Sequence, residues 1–123
     1  MEVILDTNFI ISSILKKIDF LSELREMGFK VAVPREVMQE LKDLKKESKT
    51  SHQGRVAIDL ALDLLSSRDV KKIRLGGRYV DEGLISKGLE GVYIATLDNG
   101  IRSKIPNKVI IQSARKSLGI ERR

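Results

Sequence analysis

The residues with most chemistry to offer are carboxylates at the ends of apolar runs. Asp6 closes Val3-Ile4-Leu5, and Asp98 follows Tyr93-Ile94-Ala95-Thr96. Short apolar runs of this kind predict buried strands. Ligands of open α/β sheets bind just beyond the carboxyl ends of their strands, so Asp6 and Asp98 are expected at one edge. Glu40 falls two turns into the helix expected after a second strand, and Asp81-Glu82 open a helix after the Gly76-Gly77 break. Carboxylates gathered without a counter-cation repel one another and are normally held by bound cations. Oxygen-only ligation suits Mg²⁺ or Mn²⁺ rather than zinc. Such ions can activate water and stabilise the leaving oxygen in phosphodiester cleavage. Each acid also has a plain structural use. Asp6-Thr7-Asn8 can cap a helix, Asp98-Asn99-Gly100 can make a turn, Glu40 can pair with Lys45, and Asp81 can be a cap.

Composition removes most other chemistries. The 123 residues contain no cysteine, which excludes disulfides, thiolate nucleophiles and thiolate-bound zinc. The one histidine, His52, lies in a polar stretch, so histidine-based triads and histidine-rich metal sites are excluded too. A net charge of +6 and a pI near 9.7 favour an anionic partner, with RNA or DNA foremost. Aromatics make up only 4% of the chain, too few for a sheet-wide stacking platform. No apolar run is long enough to span a membrane, and Glu2 and Asp6 break the pattern of a signal peptide. A soluble, cytoplasmic protein is the expectation.

The elements that must position these acids are short. Strands are expected at Val3–Leu5, Phe29–Val33, Asp69–Leu75, Val92–Thr96 and Lys108–Gln112. Helices are expected over Asn8–Lys17 and Asp19–Met27. A third starts at Pro34, with Val37, Met38, Leu41 and Leu44 on one face, and others cover Gln53–Ser66 and Tyr79–Lys87, with a short one after Asp98. The charged stretch from Lys45 to His52 predicts a mobile connection. Alternation of short apolar strands with helices predicts an α/β fold: a three-layer α/β/α sandwich around a mostly parallel sheet of about five strands. Residues 1–113 form the expected domain, and 114–123 a basic C-terminal tail.

Four segments together carry a resemblance. They are Ile4-Leu5-Asp6-Thr7-Asn8, Val33-Pro34 leading to Glu40-Leu41, Tyr79-Val80-Asp81-Glu82-Gly83-Leu84-Ile85, and Tyr93-Ile94-Ala95-Thr96-Leu97-Asp98. Nearly the whole chain resembles the PIN-domain family. The last two segments look most like archaeal PIN proteins related to the nucleases that process small-subunit ribosomal RNA. The resemblance implies a Rossmann-like sheet and a Mg²⁺- or Mn²⁺-dependent endoribonuclease. It implies Asp6, Glu40, Asp81 and Asp98 as catalytic metal ligands, with Glu82 the alternative to Asp81. Asn8 and Thr96 would orient those ligands. Gly100, in the segment after Asp98, departs from the family's usual charged-then-apolar pattern.

Basic residues adjoin each acidic motif. Lys42, Lys45, Arg78 and Arg102 are the candidates for RNA phosphates, which set affinity and register rather than sequence preference. Gly76-Gly77 with Arg78 is a further candidate phosphate cradle. RNA is the expected partner. A second copy of the chain, a ribosome-assembly factor or an antitoxin fits the family's range. Two rival functions stay open: a toxin ribonuclease of a toxin–antitoxin pair, and a non-catalytic RNA-binding or assembly module with the same fold. A phosphate-receiver domain is disfavoured, because Asp6 has no acidic neighbour at the first strand.

Overall fold

A computed structural model describes residues 1–123. Its strands are β1 (Glu2–Leu5), β2 (Lys30–Pro34), β3 (Lys71–Ile73), β4 (Tyr93–Ala95), β5 (Asn107–Gln112) and β6 (Ser117–Arg122). Its helices are α1 (Thr7–Leu15), α2 (Phe20–Glu26), α3 (Arg35–Lys46), α4 (His52–Leu65), α5 (Val80–Leu89) and α6 (Asn99–Arg102). The strands form one sheet in the order β3-β2-β1-β4-β5-β6. Every pairing is parallel except β5 with β6.

The first strand is therefore central, and its apolar residues are buried on both faces. Alternate residues serve different layers. Val3, Leu5, Val31 and Val33 pack beneath Phe9 of α1, Leu24 of α2, Leu41 of α3 and Ile58 of α4. Ile4, Ala32 and Ile94 face a smaller core with Leu84 of α5, Ile101 of α6 and Ile105. The expected three-layer sandwich is present, with four helices on one face and two on the other.

Two expectations need correction. The segment read as a basic tail instead forms a short 3₁₀ turn and then β6, which pairs antiparallel with β5 along its whole length. Leu118 is buried in the main core and Ile120 packs against it. Only every second residue of that strand is apolar, so its basic neighbours hid it. The sheet thus has six strands, and the fold extends through residue 122. The connection from Lys45 to His52 is also not bare. The Thr50 hydroxyl donates to the Leu44 carbonyl at 2.6 Å, and Arg55 donates to the carbonyls of Lys45 and Glu47 at 3.2 and 3.0 Å. Ser51 caps α4 through the Gly54 N–H. Reach from a neighbouring helix, not local composition, orders this turn.

Gly88 sets the distance between α5 and the sheet. A Cβ there would lie 2.4 Å from Ile105 Cγ2 and 3.3 Å from Ile94 Cγ1. Alanine gains about 1 kcal/mol of helix propensity over glycine, but overpacking a close contact costs about 1–3 kcal/mol. At 2.4 Å the clash should win. Gly88→Ala is expected to lower stability in denaturant titration, whereas a gain would mean that α5 moves freely on the sheet.

Candidate functional site

The site grows from the register of β1 against β4. Leu5 pairs with Ala95, and the Asp6 N–H donates to the Ala95 carbonyl at 3.0 Å. The next residues, Asp6 and Thr96, therefore leave the sheet side by side. The Thr96 hydroxyl donates to Asp6 Oδ2 at 2.7 Å, and the Thr7 N–H donates to Oδ1 at 2.8 Å. Thr96 Oγ1 in turn accepts the Asp98 N–H at 3.1 Å. One hydroxyl thus ties both strand-end aspartates together. Asp6 is only 8% exposed. Asp98 is exposed, and its Oδ1 accepts the Ile101 N–H at 3.2 Å, capping α6. Gly100 leaves room for that carboxylate, since a Cβ there would sit 3.0 Å from Asp98 Oδ1.

Asp6 caps α1 as foreseen, whereas Asp98, foreseen in a turn, instead caps the short helix α6. These caps do not exhaust the two residues. Burial pushes the Asp6 carboxyl above the ordinary carboxylate range. Hydrogen bonds from Thr96 and Thr7 pull it back, and the charges of Asp81 and Asp98 push it up again. Glu40 is likewise raised, first by loss of solvent around its carboxyl and then by Asp6, Asp81 and Asp43. Acids from four separate segments therefore share one field. No three of them converge closely enough to hold an ion, however. Glu40, Asp81 and Asp98 all lie on exposed positions around the buried Asp6.

The remaining candidates fall into place around this group. Glu40 does not pair with Lys45, which instead meets Asp59 at 2.6 Å. Asp81 is not a cap, since Tyr79 holds that position. Glu82 is exposed beside Asp81, and it is the charge of Asp81 that stands among the causes raising Asp6 and Glu40. Asn8 is exposed in the first turn of α1. The Thr7 hydroxyl is buried there without a hydrogen bond of normal geometry, yet it lies near enough to Glu40 to draw that carboxyl's pKa down somewhat. Lys42 and Arg78 are exposed, whereas Arg102 is half-buried and reaches Glu121 at 3.4 Å.

Glu36 was not legible as a site residue. It sits one turn before Glu40 on α3 and accepts the N–H groups of Leu75 and Gly76, with distances from 3.0 to 3.2 Å. The backbone donor a phosphate would use at Gly76 is therefore already taken, against the cradle expected there. Burial pushes the Glu36 carboxyl up, but these donors and nearby Arg74 outweigh it and hold the carboxyl below its ordinary range. Leu75 then packs on α5, where a Cβ at Gly83 would lie 2.8 Å from Leu75 Cβ. Glu36 so fixes the loop whose far end carries Asp81. A spacing of four from Glu40 was the only sequence signal.

A family model described as a PIN-like domain matches residues 3–115. The chain belongs to the PIN-like domain family. Among solved structures, the PIN domain endonuclease Utp24 is similar, with a TM-score of 0.76 at 22% identity. The match covers 99% of this chain and 92% of that one. No curated protein matches significantly. In this PIN-like chain no helix is long and apolar enough to cross a membrane.

Two outcomes follow from the geometry. Asp6 and Glu40 hold protons more tightly folded than unfolded, so their contribution to stability is full below the ordinary values of 3.8 and 4.5. It is lost as pH rises through the raised values. In chelator, Asp6→Asn should gain melting temperature relative to the parent as pH climbs from about 4 to neutrality. A difference independent of pH would remove Asp6 from the shared field. Separately, Glu36→Ala should speed amide exchange at Leu75 and Gly76 on the order of tenfold or more, the scale of lost bonds to a charged acceptor, while Val3 to Leu5 stay protected.

Proposed function

We propose that this PIN-like chain is a metal-dependent endoribonuclease whose site is formed by Asp6, Glu40, Asp81 and Asp98. The observation carrying the reading is that the Asp6 and Glu40 carboxyls are both raised, first by loss of solvent and then by neighbouring acids: Asp81 and Asp98 at Asp6, and Asp6 and Asp81 at Glu40. Proteins rarely gather unpaired carboxylates around a buried one without a cation to offset them. The likeness to a structure described as an endonuclease points the same way. The donor set is all oxygen, which fits Mg²⁺ or Mn²⁺. The orphaned Thr7 hydroxyl adds a buried oxygen at the same place.

Asp6 is the fixed member, locked by Thr96 and the Thr7 N–H. Glu40, Asp81 and Asp98 are the adjustable ones, and closing on an ion requires them to turn toward Asp6. When bound, the ion supplies Lewis acidity that activates water and stabilises the leaving oxygen. Thr96 keeps the Asp6 and Asp98 segments in step, and exposed cations such as Lys42 and Arg78 draw phosphates in. Asp81 rather than Glu82 is the ligand supported by the charge coupling. Ribosomal RNA processing is the role the motifs favour over a toxin.

The test is incubation of the pure protein with structured and single-stranded RNAs in Mg²⁺, in Mn²⁺ and in chelator. Cleavage should need the ion. Asp98→Asn should abolish it without unfolding the chain, because asparagine caps a helix as well as aspartate does but ligates a hard cation poorly. Full activity in that variant would leave Asp98 as a cap alone. RNA binding without cleavage under any ion would identify a non-catalytic RNA-binding module.

A further inference from the structure

Five aromatic side chains serve this domain, and four are buried: Phe9, Phe20, Phe29 and Tyr93. Tyr79 is 60% exposed. Nothing in its own element requires an aromatic ring there, because Tyr79 is the N-cap of α5 and makes no side-chain capping bond. Its backbone is extended, with φ −130° and ψ 141°, so it stands off the helix that carries Asp81 two residues later.

The loop leading to it is built to hold a position. Its base is pinned by Glu36 at Leu75 and Gly76. Gly76 and Gly77 then adopt φ of 73° and 75°, a left-handed conformation that glycine takes at little cost. Arg78 and Tyr79 follow, both exposed. The ion pairs of the chain engage Arg25, Lys45 and Arg102, and Arg74 lies near the Glu36 carboxyl, which leaves Arg78 unpaired beside the glycines. An exposed aromatic ring and an unpaired guanidinium thus follow a pinned backbone, two and three residues before one acid of the proposed site.

We infer that Tyr79 is a stacking platform for an unpaired nucleotide of the RNA, with Arg78 taking a flanking phosphate. This rests on the ribonuclease reading and deepens it, since it adds a base-binding side chain next to the acidic site. Bases in a duplex are already stacked on each other and offer no free face, whereas an unpaired base can lie on an aromatic side chain. Arg78 contacts the backbone and adds affinity for either form.

The chain supplies its own probe, having two tyrosines and no tryptophan. Tyr93 is buried against Phe29 with a ring separation of 5.0 Å, leaving Tyr79 as the tyrosine open to solution. The experiment titrates the full chain, in chelator and at low salt, with one oligoribonucleotide presented single-stranded or as a duplex. It reads tyrosine emission and binding anisotropy for the parent, Tyr79→Phe and Tyr79→Leu. Single-stranded RNA should quench the parent's emission. Tyr79→Phe should bind it as the parent does, and Tyr79→Leu about tenfold more weakly, the scale of one stacked base. Duplex affinity should be equal in all three, and an unchanged melting temperature should show that Tyr79→Leu is folded. Equal single-strand affinity in parent and Tyr79→Leu would overturn the platform and leave the ribonuclease reading standing. No binding of either RNA by the parent would overturn both.

Discussion

A carboxylate at the end of the innermost strand is the constraint to which the rest of the structure answers. Removing Asp6 from solvent is costly, and neighbouring acids make it more so. A charge-assisted bond from Thr96 offsets part of the cost. That bond exists only because β1 lies directly against β4 in the register that sets Leu5 opposite Ala95. A slip of one residue would turn the hydroxyl to the other face of the sheet. The apolar strands on either side hold that register more firmly than the polar bond could. The hydrophobic layers and the acidic site are thus two aspects of one alignment.

The second acidic pair depends on a different linkage. Glu36 and Glu40 lie one turn apart on α3 but do opposite jobs. The first accepts backbone donors and is held ionised, and the second is crowded by like charge. Helix α3 therefore ties down the loop that delivers Asp81 while presenting its own carboxylate toward the same place. The site is assembled from both halves of the sheet, through Thr96 on one side and Glu36 on the other.

Much of this was readable from the residues in order. Strand ends at Asp6 and Asp98 followed from apolar runs, because parallel strands buried on both faces leave continuous signals. Pro34 marked the start of α3, so the boundary there was close. Three things were not legible. β6 has only Leu118 and Ile120 as apolar residues and is flanked by basic ones, and its membership is decided by pairing with β5 rather than by its composition. The order of the connection around Thr50 comes from Arg55 on the next helix. The part played by Glu36 needs the loop at Leu75 brought beside α3, a contact across some forty positions that no local pattern records.

The sheet order also sets a schedule for synthesis. The strand made first takes an inner place, and its neighbour β4 lies about ninety residues downstream. A chain emerging amino end first can pair β1 with β2, and β2 with β3, early, but the other edge of β1 stays open until β4 appears. Pairings so distant in sequence form late, since the intervening loop must be closed first. Asp6 accordingly has only its local bond from the Thr7 N–H until Thr96 arrives. A nascent chain holding β1 to β3 with most of its larger core carries none of the assembled acidic site. The acidic site comes into being only when the chain is nearly finished.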